Sequence, residues 1–168
     1  MTPSDKIALA AVAISLVALL LSIHFWRRSF RPIVTAMVRS NKSGNLATAF
    51  DLVLLNSGSI PARSVTLHIT DDRQLENALD KAPLDRRSRF LSCFLKGTKV
   101  PILHNGAEVS CSFGYVSQTD SFWKGGAEFP ILVRYEGWFG KIYVERQTLR
   151  IVSSTSFTDF SWGTPNAT

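Results

Sequence analysis

The chain has 168 residues and a formal net charge of +6, a length that fits one ordinary domain with a short attached segment. Its two cysteines, Cys93 and Cys111, are too few for a disulfide scaffold, and its three scattered histidines add no zinc-binding pattern. No nucleic-acid-binding motif accompanies the basic balance, which therefore fits anionic lipid headgroups better than nucleic acid.

The first element is an uncharged apolar run over residues 7–25. At about 1.5 Å per residue, a helix of this length covers roughly 28 Å, close to the hydrocarbon thickness of a bilayer. Apolar residues occupy all faces, which suits a helix surrounded by lipid. We therefore predict a transmembrane helix at residues 7–26 after a flank at 1–6. A cleaved signal peptide and a buried helix are the alternatives, but no basic start or small-residue cleavage site is present.

The residues that follow the helix predict its orientation. Trp26, Arg27, Arg28 and Arg31 are typical of a membrane interface, with residues 27–31 as a basic juxtamembrane segment. Only Lys6 and the amino terminus balance them on the other side. Because Lys and Arg concentrate on the cytoplasmic side, we expect a single-pass inner (cytoplasmic) membrane protein with its N-terminus outside and its body in the cytoplasm. The margin is one or two charges, so a periplasmic body remains the alternative.

One side of the predicted helix carries small residues at helical spacing, which allow another helix to approach closely. These candidate helix-packing residues are Ala8, Ala11, Ser15 and Ala18.

After residue 31 the pattern changes to short alternating runs separated by turn residues, which indicates an all-β sandwich over residues 32–152. Val65, Leu67 and Ile69 alternate with polar residues, so they are predicted to face the core. Seven strands are predicted, at residues 32–39, 45–56, 64–70, 90–95, 107–115, 129–136 and 141–152. Residues 73–80 are predicted as a helical insert, residues 85–89 as a solvated loop, and residues 153–168 as a Ser/Thr-rich tail with aromatic residues.

The fifth predicted strand places Val109, Cys111 and Phe113 on the core side, which favours Cys111 and Cys93 as buried thiols that act as small hydrophobic groups. A periplasmic body would instead allow a disulfide between them. The seventh predicted strand changes its alternation between Val144 and Leu149, which predicts a bulge or bend.

The turn at residues 55–65 contains Asn56, Gly58, Ala62 and Val65 at the spacing of an L-x-N-x-G-x-x-x-A-x-x-V pattern. This turn resembles the one in bacterial membrane-associated immunoglobulin-like (Ig-like) domains, including the cell-adhesion-related (CARDB-like) group. The order of one helix, a basic segment and a sandwich also resembles small uncharacterised bacterial single-pass membrane proteins with an Ig-like or fibronectin-III-like domain. The resemblance implies a seven-stranded antiparallel Ig-like β-sandwich and no chemistry.

Catalytic and metal-binding patterns are missing from the sequence. His24, His68 and His104 lie in different predicted elements, and no nucleophile elbow, P-loop or dinucleotide fingerprint occurs. Helix capping accounts for the acidic pair Asp71 and Asp72. We therefore expect no enzyme activity, catalytic residue, cofactor, metal or small-molecule substrate.

Successive strands of a sandwich reverse direction, so the loops at residues 56–62, 96–106 and 137–140 should return toward the bilayer. Trp138, Phe139 and Lys141 are therefore further candidate membrane-interface residues. Alternatively, the two rings fold back over the edge of the sandwich. The opposite end supplies a candidate partner surface made of Phe122, Trp123, Phe157, Phe160 and Trp162.

These expectations favour a non-catalytic accessory or scaffolding subunit that docks its sandwich onto a larger membrane protein complex. The expected partners are the lipid bilayer and other membrane protein subunits, with no nucleic acid. The alternative is a free-standing Ig-like module that binds a ligand or lipid at the membrane surface.

Overall fold

The computed structural model describes residues 2–44, 46–81 and 83–152, which form a long N-terminal helix followed by seven strands and two short helices. The helices are α1 (Pro3–Ser29), α2 (Asp72–Ala78) and α3 (Leu84–Phe90). The strands are β1 (Val34–Ser43), β2 (Ala47–Asn56), β3 (Ala62–Ile69), β4 (Val100–Leu103), β5 (Glu108–Ser117), β6 (Glu128–Glu136) and β7 (Ile142–Arg150).

Helix α1 starts earlier and ends later than predicted. A capping box accounts for its early start. The Thr2 hydroxyl accepts from the Asp5 N–H at 3.3 Å, and the Asp5 carboxylate accepts from the Thr2 N–H at 2.8 Å. The stretch Pro3–Trp26 has a mean hydropathy of 2.5 and none of it is buried. By length and composition, α1 can span a membrane.

The seven strands form two antiparallel sheets, one of order β1-β2-β5 and one of order β4-β3-β6-β7. This confirms the predicted sandwich preceded by an apolar helix. In a constant-type immunoglobulin domain the fourth strand lies in the same sheet as the first. Here β4 pairs with β3 in the other sheet instead.

The core lies between the sheets and includes Phe129, Ile131, Val133 and Tyr135 of β6, all fully buried. Its centre is aromatic: the ring of Trp123 stacks on Phe129 at 5.4 Å and lies 4.9 Å from Phe113. Gly114 adjoins this cluster with φ +99°, and a Cβ there would lie 2.7 Å from Phe122. Glycine is therefore required where the paired register of β2 and β5 shifts.

The predicted strand at residues 90–95 and the predicted loop at residues 85–89 are wrong. This region forms α3 and a 3₁₀ turn, Ser92–Phe94. Phe90 and Phe94 are four residues apart, a helical spacing that places both rings over the core, against Phe122 and Phe113 respectively. The fourth strand, β4, lies within the segment that was predicted as a loop.

Strand β7 has no bulge, because its pairing with β6 is continuous from Glu128↔Arg150 to Glu136↔Ile142. The predicted bulge was wrong because the alternation of inward and outward positions continues through β7, and two of the inward positions carry polar residues. Glu145 and Gln147 face the β1 side, where hydrogen bonds satisfy them.

Candidate functional site

The end of the sandwich next to α1, here called the proximal end, is fixed by strand pairing. Val34 at the start of β1 pairs with Asn56, and Glu136 at the end of β6 pairs with Ile142. The loops at residues 57–61, 104–107 and 137–141 therefore lie together at this end. The first and last of these belong to loops that were predicted to return toward the bilayer. Of the predicted loop at residues 96–106, only the part after β4 lies at this end.

Asn56 joins the two sheets at the proximal end. Its fully buried amide donates to the carbonyls of Ile60 and Leu103, at 2.8 and 3.0 Å. The amide oxygen accepts from the N–H groups of Ile33 and Gly58, at 3.2 and 3.0 Å. One side chain thus fixes the entry to β1, the β2–β3 turn and the end of β4.

The β2–β3 turn also holds the segment that leaves α1. Ser57 and Ser59 donate their N–H groups to the carbonyls of Ile33 and Arg31, at 2.9 and 3.2 Å. A Cβ on Gly58 would lie 2.4 Å from the Arg31 oxygen, so only glycine allows this approach. The sequence pattern around Asn56 and Gly58 is therefore explained by attachment of the sandwich to the helix.

An aromatic group connects α1 to the hairpin between β6 and β7. The ring of Trp26 lies 5.4 Å from Trp138 and 5.2 Å from Phe30. These rings, with Phe139, Lys141 and Tyr143, line a pocket of about 260 Å³. We call these six residues the aromatic junction. The candidate interface residues Trp26, Trp138, Phe139 and Lys141 therefore come together, and Arg31 is exposed nearby in the chain.

The hairpin tip presents Phe139 outward in an unfavourable backbone conformation. Phe139 has φ +57° and its side chain is 85% exposed. Gly140 also has positive φ, and Lys141 donates its N–H to the Trp138 carbonyl at 3.1 Å, the features of a type I′ turn. Asn or Gly normally occupies the first central position of this turn. Ile142 and Val144 extend the exposed apolar surface along β7.

A second candidate site is an apolar cleft between the edge strands β4 and β5, with a volume of about 320 Å³. Leu52, Leu54, Val65 and Leu67 line it from the two sheets, and Cys93 and Lys99 from the connection before β4. Cys111 and Val109 line it from β5 and are exposed, which corrects the prediction that Cys111 is buried. They face the inter-sheet space as predicted, but no strand closes it there.

Cys93 and Cys111 are free thiols that interact with each other in this cleft. A hydrogen bond to Cys111, together with burial, raises the pKa of Cys93. The same hydrogen bond lowers the pKa of Cys111. Cys111 is also the more exposed of the two thiols, so it is the one that an electrophile reaches more easily.

The remaining predicted site residues do not join these sites. Phe122 and Trp123 are fully buried, which makes them core residues and not a partner surface. Ala8, Ala11, Ser15 and Ala18 are exposed along α1. The side chains of Arg27 and Arg28, and the residues Phe157, Phe160 and Trp162, lie outside the part that the structure describes. Among the described residues, no group of three or more His, Cys, Asp or Glu is placed to hold a metal ion.

Fold and proximal end together define a β-sandwich held on a single apolar helix of membrane-spanning length. The chain belongs to the family described as Domain of unknown function (DUF8453), which matches residues 7–153. The match covers α1 from residue 7 onward together with all seven strands. Comparison with curated proteins gave no match.

Proposed function

We propose that this protein is a non-catalytic, membrane-anchored accessory subunit that docks its sandwich onto a larger membrane protein complex. The observation that carries the proposal is the contact between Trp26 and Trp138, which makes the exposed apolar surface of α1 continuous with the hairpin tip. Helix and hairpin then offer two attachment points on one molecule. Two linked contacts raise the overall affinity without a large interface at either.

In this proposal the protein is an Ig-like single-pass protein of a bacterial inner membrane, with the sandwich in the cytoplasm. Arg27, Arg28 and Arg31 lie at or just after the C-terminal end of α1, against Lys6 near its start, and this difference supports the orientation. Aromatic rings with an adjacent lysine at the hairpin tip suit the boundary between hydrocarbon and headgroups.

Mild-detergent extraction of the tagged full-length chain from its native membrane, followed by sizing, tests the proposal. We expect an assembly with a second membrane protein in fixed stoichiometry. The double variant Ile142→Ser, Val144→Ser should reduce recovery of that protein, whereas Arg146→Ser, Thr148→Ser on the same strand should not. Recovery of the 18.6 kDa chain alone in every mild detergent would overturn the proposal.

A second candidate function, a membrane-surface module that binds a lipid-derived ligand, is favoured by the cleft between β4 and β5. In that case the chain extracted alone would carry a bound small amphiphile, and no stoichiometric protein partner would be needed.

A further inference from the structure

We infer that the cleft between β4 and β5 binds the acyl chain of an anionic single-chain amphiphile, with Lys99 at its headgroup. This inference deepens the second candidate function and is independent of the first. It rests on how the two sides of the sandwich are built, on the lining of the cleft and on the charge at its wall.

The opposite side of the sandwich is closed by side chains. Gln147 on β7 accepts from the Ala36 N–H at 2.8 Å and donates to the Val34 carbonyl at 2.7 Å, both on β1. The Tyr135 hydroxyl lies 3.3 Å from the Pro32 carbonyl oxygen. Side-chain hydrogen bonds thus join β1 and β7 much as a strand pair would.

The β4–β5 side has no such closure among the described residues. Strand β4 has only four residues and pairs with β3 alone, and β5 pairs with β2 alone. The 3₁₀ turn Ser92–Phe94 and the chain that follows it cover the gap only in part, so Val109 and Cys111 stay exposed. Between β4 and β5, the cleft opens to the buried side chains of Leu52, Leu54, Val65 and Leu67.

The shape and lining of the cleft select a single aliphatic chain. Its volume of about 320 Å³ is near the lower end of the range of ligand pockets, about 300–1,000 Å³, so it suits one chain better than a two-chain phospholipid. Most of the wall is aliphatic, and the polar groups are hydroxyls, thiols and one ammonium group. Removal of methylene groups from water into an aliphatic wall is favourable, which makes an acyl chain a suitable occupant.

Lys99 supplies the charge complementarity. It is the only charged residue that lines the cleft in the described part of the chain. An ammonium group beside an aliphatic wall attracts a carboxylate or phosphate attached to a chain inside it. The same chemistry serves a free fatty acid and a lysophospholipid, and both are sources that a membrane supplies next to α1.

Cys111 gives a direct measure of occupancy, because it lines the cleft and the chain has one other cysteine. The full-length Cys93→Ser chain in phosphatidylcholine nanodiscs is alkylated with iodoacetamide at fixed pH. A dodecanoate chain in the cleft covers Cys111, so only protein with an empty cleft is alkylated. The alkylation rate should therefore fall about tenfold at a dodecanoate concentration ten times the dissociation constant. Methyl dodecanoate, which has no charge, should protect less, and Lys99→Gln should remove most of this difference. Lysophosphatidylglycerol tests the second source.

Two matched variants separate the cleft from general effects. Val109 lines the cleft and is 42% exposed, whereas Val144 is 58% exposed on β7, far from it. In the same Cys93→Ser background, Val109→Trp should remove protection by dodecanoate, and Val144→Trp should keep it.

Three results would overturn the inference. One is an unchanged alkylation rate with both amphiphiles, and another is equal protection in the Val109→Trp and Val144→Trp chains. The third is protection that exists without added amphiphile and is lost when residues 153–168 are removed, which would assign the cleft to the chain's own tail. None of these results depends on a protein partner, so the accessory-subunit proposal is tested separately.

Discussion

At the scale of single residues, the side chain of Asn56 makes four hydrogen bonds, so its removal should destabilise the fold strongly. Asn56→Ala leaves two buried carbonyls and two N–H groups without their partner. An unsatisfied buried polar group costs about 1–3 kcal/mol, so we expect a loss of folding free energy on the order of 3 kcal/mol. Chemical denaturation of the full-length chain in nanodiscs would measure this loss.

The control is Asn41→Ala, which removes an exposed amide that donates to the Asp51 carboxylate at 2.6 Å. We expect this change to stay within about 0.5 kcal/mol, as is usual for surface substitutions. Equal losses in the two variants would contradict the role assigned to Asn56.

Phe139 is a residue whose conformation opposes stability. A non-glycine residue in the left-handed region costs about 1–3 kcal/mol, and Asn tolerates this region better than Phe. We therefore expect Phe139→Asn to stabilise the fold by about 1 kcal/mol, measured as an increase in the unfolding midpoint. The same change should weaken attachment of the hairpin, because an exposed aromatic ring is lost.

The variant Phe139→Leu is the matched control. It removes the aromatic ring but keeps a residue that is strained in the left-handed backbone conformation, so the stability of the protein should not increase. A gain of equal size in both variants would mean that exposure of the ring, and not the backbone conformation, is the cost.

At the scale of elements, β1 and β7 are joined through one side chain. Gln147→Ala leaves the Val34 carbonyl and the Ala36 N–H without that partner. We expect a destabilisation of about 2 kcal/mol and faster amide exchange in β1, because each lost bond exposes or orphans a backbone group. The control Arg146→Ala changes the adjacent exposed position and should leave exchange in β1 unaltered.

The elements also show where sequence patterns identify strands and where they do not. Strands β3 and β6 alternate cleanly because one face of each packs in the core, and β2 is a longer apolar run with Leu52, Val53 and Leu54 all buried. The positions of all three strands were predicted to within a few residues. Strand β4 has four residues, two of them exposed, so it gives little periodic signal. Strand β7 was misread because Glu145 and Gln147 replace apolar residues on its inward face.

Sequence could predict only part of the candidate sites. Trp138, Phe139 and Lys141 were placed at the membrane end by counting strand reversals, although the fourth strand itself was misplaced. The cleft could not be predicted, because it depends on β4 pairing with β3 and leaving β5 as an edge. Phe122 and Trp123 were assigned to a surface because counting strand reversals puts their loop at the end away from α1, whereas the bulge at Gly114 makes room for their rings in the core.

At the scale of the whole molecule, the short chain between helix and sandwich is held at several points. Residues 30–33 separate α1 from β1, and the β2–β3 turn, Tyr135 and the aromatic junction all contact this region or the helix end. The cleft lies away from this attachment, at the side of the sandwich where β4 and β5 are edges. The surface that we propose for anchoring and the cleft that we propose for ligand binding are therefore separate.

The hydrogen bonds of Ser57 and Ser59 to the chain leaving α1 have a mechanical consequence. A sandwich on a flexible tether could turn freely and present any face to its neighbours. Here a rotation of α1 about its own axis would turn the sandwich with it, because hydrogen-bonded backbone and contacting aromatic rings join the two. The direction in which the sandwich faces around the axis of α1 is thus set by the rotation of that one helix.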